Sequence, residues 1–186
     1  MQRIVKNKKI VPAQAVEGLS DCQELPHEYL LVGQGGIYKS PTLVQTVLGS
    51  CVSVTMYSPK HKWGGIFHAL LPRMGDFPKN KALGDHFRYV DSSIWHLLRQ
   101  FAQAGISAKS LECKVFGGAS PLNHHSDSSA GNRNVMVAME ILAQEGVTVS
   151  ASSVGGYGGR KLFFRTDTGL VLQKRFEVQS SRDYGS

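Results

Sequence analysis

A chain of 186 residues with a formal charge of +7, 41% hydrophobic and 19% charged residues has the make-up of one globular domain, long enough for a single sizeable core. No apolar run is long enough to span a bilayer. Apart from Lys6, Lys8 and Lys9 the cations are dispersed, and no signature of a nucleic-acid-binding module is present. Cys22, Cys51 and Cys113 are odd in number and form no C-x-x-C pair, which argues against a zinc site or a redox dithiol and fits reduced thiols.

Residues 1–26 mix charge, Pro12, Gly18 and Pro26 without periodicity and read as a basic, loosely attached arm. Ala13-Gln14-Ala15 imitates a signal-peptide cleavage site. Only Ile10-Val11 precede Pro12, too short for an apolar h-region, so a cytoplasmic location is expected. YLLVGQGGIYKS reads as a strand, a glycine turn and a return strand, opening a domain over 27–178 that leaves 179–186 as a tail.

CVSVTMY (51–57) alternates, with Val52, Val54 and Met56 on one side and Cys51, Ser53, Thr55 and Tyr57 on the other. SPKHKW supplies turn chemistry before GGIFHALLP (64–72), a largely apolar strand closed by Pro72. After a polar loop, Tyr89, Val90, Ile94, Leu97, Leu98 and Phe101 recur at helical spacing within 86–104, and Gly105 ends that helix. LECKVFGG is a strand entering a glycine turn, and SPLNHHSDSSAGNR a polar surface loop. Residues 134–145 are helical by pattern, with Val135, Met139 and Leu142 on one face and Gly146 as the stop. VTVSASSV and LFFRTDTGLVLQKRF give three closing strands, the last two joined at Asp167-Thr168-Gly169. Two helices and roughly eight strands, with sequence-adjacent hairpins, imply a single α+β domain with a mainly antiparallel sheet system and helices on one side.

Cys51 lies two residues after Gly49 and His68 three after Gly65, both in largely apolar sequence. A thiol is a nucleophile only as thiolate, which needs a nearby base and access to substrate. If the turn pairs Tyr57 with Gly64, Ser53 lies opposite His68 and Cys51 opposite Leu70. Cys51 and His68 then share a face as diagonal neighbours, roughly 7–8 Å apart between backbones. A one-residue slip separates them. From the residues alone, a nucleophile with its base competes with a buried thiol and a packed imidazole. The Thr46 hydroxyl is a candidate to orient the imidazole, ahead of Ser50, Asn134 and Arg160.

TVLGSCVSV followed by GGIFHALLP resembles the signature of the chemoreceptor glutamine deamidases of bacterial chemotaxis, the CheD family. The likeness continues through RYVDSSIWHLL, KVFGGAS, GNRNV, VGGYGGRKLFF and TGLV, covering roughly residues 28 to 176. AGNRN departs from the family's commoner IGERN at Ala130 and Asn132, and the preceding loop, with His124 and His125, is longer and more polar.

The resemblance implies that Cys51 is the nucleophile, His68 the general base and Thr46 the residue completing the site. It implies a layered α/β/β sandwich like that of the cysteine deamidase toxins, with no metal or organic cofactor. The implied reaction converts glutamine side chains of methyl-accepting chemoreceptor cytoplasmic domains to glutamate. A CheC-type phosphatase is the implied further partner, with receptor methyl-ester hydrolysis a linked activity. A monomer is expected, with no nucleic acid and no membrane insertion. A different thiol hydrolase and a non-catalytic chemotaxis adaptor are the rival readings.

Overall fold

The computed structural model describes residues 24–77, 86–120 and 129–176. The basic arm with Lys6, Lys8, Lys9 and Cys22, the loop histidines His124 and His125, and the tail at 179–186 lie outside those residues. Nine strands are described: β1 (His27–Tyr29), β2 (Gly35–Tyr38), β3 (Leu43–Leu48), β4 (Val52–Ser58), β5 (Trp63–Phe67), β6 (Glu112–Gly117), β7 (Val149–Val154), β8 (Gly159–Arg165) and β9 (Val171–Phe176). Two α-helices, α1 (Val90–Gln103) and α2 (Ala130–Gln144), accompany them.

The strands form two sheets, ordered β1-β3-β8-β9 and β2-β5-β4-β6-β7. Five of the seven strand pairings are antiparallel; β1 with β3 and β6 with β7 are parallel. Alternation along β4 sorts its two faces. Val52, Val54 and Met56 join Phe67, Ala69 and the inward residues of both helices in the main core. The opposite face meets the four-stranded sheet, where Leu30, Val44, Ile66 and Phe164 form a buried cluster. The order of layers is therefore helices, five-stranded sheet, four-stranded sheet. The sheets close tightly at Gly64, where an added Cβ would stand 2.7 Å from the carbonyl oxygen of Thr166. No helix among the described residues is long and apolar enough to cross a membrane.

Several expectations hold as drawn. The 51–57 and 64–72 segments pair antiparallel with Tyr57 opposite Gly64. The β8–β9 hairpin turns at Asp167-Thr168-Gly169, and Tyr89, Val90, Ile94, Leu97, Leu98 and Phe101 are all buried.

Others need correction. YLLVGQGGIYKS is not a hairpin: β1 pairs with β3 in one sheet and β2 with β5 in the other. Its glycine-containing link is a crossing between sheets, pinned by buried Leu30 in the inter-sheet layer. The first helix starts at Val90 rather than 86, because Phe87 and Tyr89 are drawn into isolated bridges with Gly33 and Leu71. The second starts at Ala130, four residues earlier than its apolar pattern, because Ser129 caps it by accepting from Asn132 N–H at 3.2 Å. Its inward face is Asn134, Val137, Ala138, Ile141 and Leu142, while Met139 is exposed.

Candidate active site

Cys51 stands one residue before β4, and His68 one residue after β5. Between them Val52 and Ala69 exchange both backbone hydrogen bonds, each 2.9 Å. In an antiparallel ladder the pairs flanking such a position are not hydrogen-bonded to each other, and their side chains point to the other face. Ser53–His68 and Cys51–Leu70 are those pairs. Val52 and Ala69 face the helices, so Cys51 and His68 both face the inter-sheet layer, diagonally across the strand pair.

Thr46 reaches that layer from β3, in the opposite sheet. It is fully buried, and its Oγ1 lies 2.9 Å from His68 Nδ1 and 2.8 Å from the carbonyl oxygen of Leu30. The carbonyl can only accept, so the single hydroxyl proton goes to Leu30 and Oγ1 accepts from Nδ1–H. This fixes the tautomer: His68 carries its proton on Nδ1 and a lone pair on Nε2. Nε2 is buried and has no protein partner among the described residues. The hydroxyl of Ser53, opposite His68, is likewise buried without one.

Cys51 packs with Leu48, Phe116 and Leu162 and is 9% exposed. Burial pushes its thiol above the ordinary value, while its own backbone N–H, lying against the sulfur, pulls the other way. Burial also holds the His68 imidazole below its ordinary value, opposed by the Leu30 carbonyl. Both shifts favour uncharged forms, so the resting pair is thiol and neutral imidazole. Cys113 is fully buried in the helix-facing core, its thiol pushed up to about 12 by burial alone.

The glycine motifs shape the turn before Cys51. Gly118 N–H donates to Cys51 O and Ala119 N–H to Gly49 O, both at 2.8 Å. Gly117 has φ +112°, and a Cβ there would stand 2.0 Å from Cys51 O. Gly131, in the first turn of α2, leaves no room either: its Cβ would stand 2.5 Å from Gly118 O. Arg160 is buried on the far side and donates to Gly117 O at 3.0 Å and to the carbonyls of Ser153 and Gly155. Neither Arg160 nor Asn134 touches the imidazole; both hold main-chain carbonyls. Ser50 enters only through its carbonyl, which accepts from Asn134. The Leu30 carbonyl escaped the sequence reading, because a main-chain acceptor leaves no mark on residue type. Among the described residues, no group of three or more His, Cys, Asp or Glu is placed to hold a metal ion.

Comparison with known proteins agrees with the motifs. The family profile described as CheD chemotactic sensory transduction matches residues 70–175, more than half of the chain. The chain belongs to the CheD family. It is 49% identical over 153 residues, 82% of this chain and 91% of the relative, to the probable chemoreceptor glutamine deamidase CheD 2 of Geobacter sulfurreducens. Similar proteins named probable chemoreceptor glutamine deamidase CheD occur in Oleidesulfovibrio alaskensis and Thermococcus kodakarensis. The first is 40% identical over 84% of this chain and 75% of the relative. The second is 33% identical over 77% of this chain and 89% of the relative. The CheD profile match begins after His68, but a 153-residue alignment within 186 residues necessarily spans Thr46, Cys51 and His68.

Proposed function

We propose that this chain is a chemoreceptor glutamine deamidase, with Cys51 as nucleophile, His68 as general base and acid, and Thr46 as the residue that orients the imidazole. The observation that carries the reading is the Thr46–His68 hydrogen bond. It commits the ring proton to Nδ1 and leaves a buried, unoccupied lone pair on Nε2 in the layer that also holds the Cys51 thiol.

A glutamine side chain enters with its carboxamide carbon at the sulfur. His68 Nε2 takes the thiol proton as the S–C bond forms, and the carbonyl oxygen becomes an oxyanion. The Cys51 backbone N–H, which favours negative charge on the sulfur, is the donor proposed to receive that charge. The tetrahedral adduct collapses, the C–N bond breaks, and His68 returns its proton so that ammonia leaves. Water then attacks the thioester with His68 again accepting a proton; the S–C bond breaks, the thiol is restored and glutamate remains. The thiol starts protonated, so proton transfer and attack are coupled, and no standing thiolate is exposed between turnovers.

The substrate is the helical cytoplasmic domain of a methyl-accepting receptor, and the site of action the cytoplasm. A CheC-type phosphatase is the second partner, and the working unit a monomer.

Intact-mass analysis of a receptor fragment incubated with the protein tests this reading. The expected result is the exchange of side-chain NH2 for OH at discrete glutamines, lost in Cys51→Ala and His68→Ala while receptor binding persists. Fragmentation of the receptor would indicate a different thiol hydrolase. Binding without any mass change in the native protein would indicate an adaptor.

A further inference from the structure

Asn134 lies in α2, on the helix side of the five-stranded sheet, away from the layer that holds Thr46 and His68. It is fully buried, and its Nδ2 donates to Ser50 O at 3.1 Å and to Leu70 O at 3.0 Å. Carbonyl oxygens only accept, so the amide orientation is chemically fixed, and Oδ1 is left buried with no partner among the described residues. Those carbonyls belong to the residue before Cys51 and to the second residue after His68.

They also bracket a gap in the backbone. Past the Val52–Ala69 pair the two chains part. Leu70 and Leu71 N–H turn to Arg88 O, at 3.0 and 3.1 Å, while Cys51 O is taken by Gly118 N–H. Among the described residues, no other hydrogen bond spans the chain at 49–51 and the chain at 70–72. An aliphatic side chain would suit the apolar core and bury no unmet Oδ1, but it would leave the Ser50 and Leu70 carbonyls without this donor; what the amide contributes is the link itself.

We infer that Asn134 is a positioning residue for the thiol–imidazole pair: its amide straps the loop leading into Cys51 to the segment leaving His68, and so sets the separation across which the proton passes. This rests on the proposed roles of Cys51 and His68, since a strap without a reaction would have nothing to position. Asn134 need not touch substrate to act this way.

The test uses the full chain with Asn134→Asp, of equal size but unable when ionised to donate to either carbonyl, and Asn134→Ala. Thermal unfolding establishes that each variant folds. The first readout is alkylation of Cys51 by iodoacetamide as a function of pH, followed by peptide mass. We expect the rate at neutral pH to fall about tenfold as the loop carrying Cys51 drifts from the segment carrying His68. The Asp variant should recover relative to the native chain as pH falls, because a protonated carboxyl again donates to one carbonyl.

The second readout is receptor-fragment deamidation, where kcat should fall about a hundredfold with KM little changed. A folded variant with the native alkylation profile and native kcat would overturn the assignment. So would a pair of variants neither of which folds, since the link would then serve the fold. If the native chain deamidates no receptor fragment, the proposed function fails by itself, and the alkylation profile still decides the role of Asn134.

Discussion

Replacing Thr46 by valine keeps the side-chain shape and removes the hydroxyl that bonds His68 Nδ1. The variant takes from Nδ1–H its Thr46 acceptor and from the Leu30 carbonyl its hydroxyl donor, so about 1–3 kcal/mol of stability should go with it. With the ring free to turn, kcat should fall about 10- to 100-fold, and Thr46→Ser should restore most of it. Steady-state kinetics of the two variants checks this; a valine variant with native kcat would remove Thr46 from the site. The pH behaviour follows from burial. The folded His68 lies below its ordinary 6.5, so as pH falls the unfolded chain takes up the proton first. The stability linked to the neutral ring is therefore whole above 6.5 and is lost as pH falls from there toward the folded value. Turnover should fail further to the acid side, as pH falls through the folded value and Nε2 takes up its proton. An NMR titration of the ring showing protonation above 6.5 in the folded chain would contradict this.

At the scale of elements, the turn before Cys51 is a tight meeting of β6, α2 and the 49–51 loop. A methyl group at Gly131 would run into Gly118 O at 2.5 Å and Ala119 O at 2.7 Å. Gly131→Ala should therefore cost about 1–3 kcal/mol, read as a melting temperature lower by several degrees. Gly117→Ala, pressed against Cys51 O at positive φ, should cost at least as much stability and lower turnover as well; unchanged melting and kinetics in both variants would refute the packing argument. These contacts also mark what the sequence let one read. The β4–β5 register was legible, because alternation in CVSVTMY and turn residues in SPKHKW leave one pairing that buries the right faces. The Cys51–His68 relation followed from it. Thr46 was named, yet its bond to His68 depends on the approach of the other sheet, which strand alternation does not encode. The sheet change after β1 was hidden for the same reason: a glycine-rich link between two apolar stretches looks alike whether the chain returns or crosses. The early start of α2 was hidden by polar AGNRN, whose Gly131 and Asn134 face inward to meet main-chain atoms.

For the whole molecule, the +7 formal charge acts at longer range than any contact described above. Receptor signalling helices are commonly acidic, and a cationic enzyme would be drawn to them at a rate that salt suppresses. Raising ionic strength from about 50 to about 500 mM shortens the Debye length several-fold, so kcat/KM on receptor fragments should fall while kcat holds. A kcat/KM indifferent to salt would show that the charge serves some other purpose.

The residues proposed to act together are not carried by one sheet. Thr46 rides on the four-stranded sheet, Cys51 and His68 on the five-stranded one, and the Leu30 carbonyl belongs to the segment that crosses between them. The site is in effect a caliper closed on the thickness of the sandwich. Any loosening that slides one sheet from the other opens the caliper before it melts either sheet. In graded urea, deamidation should therefore disappear at a lower concentration than the far-UV signal of the strands, the enzyme failing first as an instrument of alignment and only later as a fold.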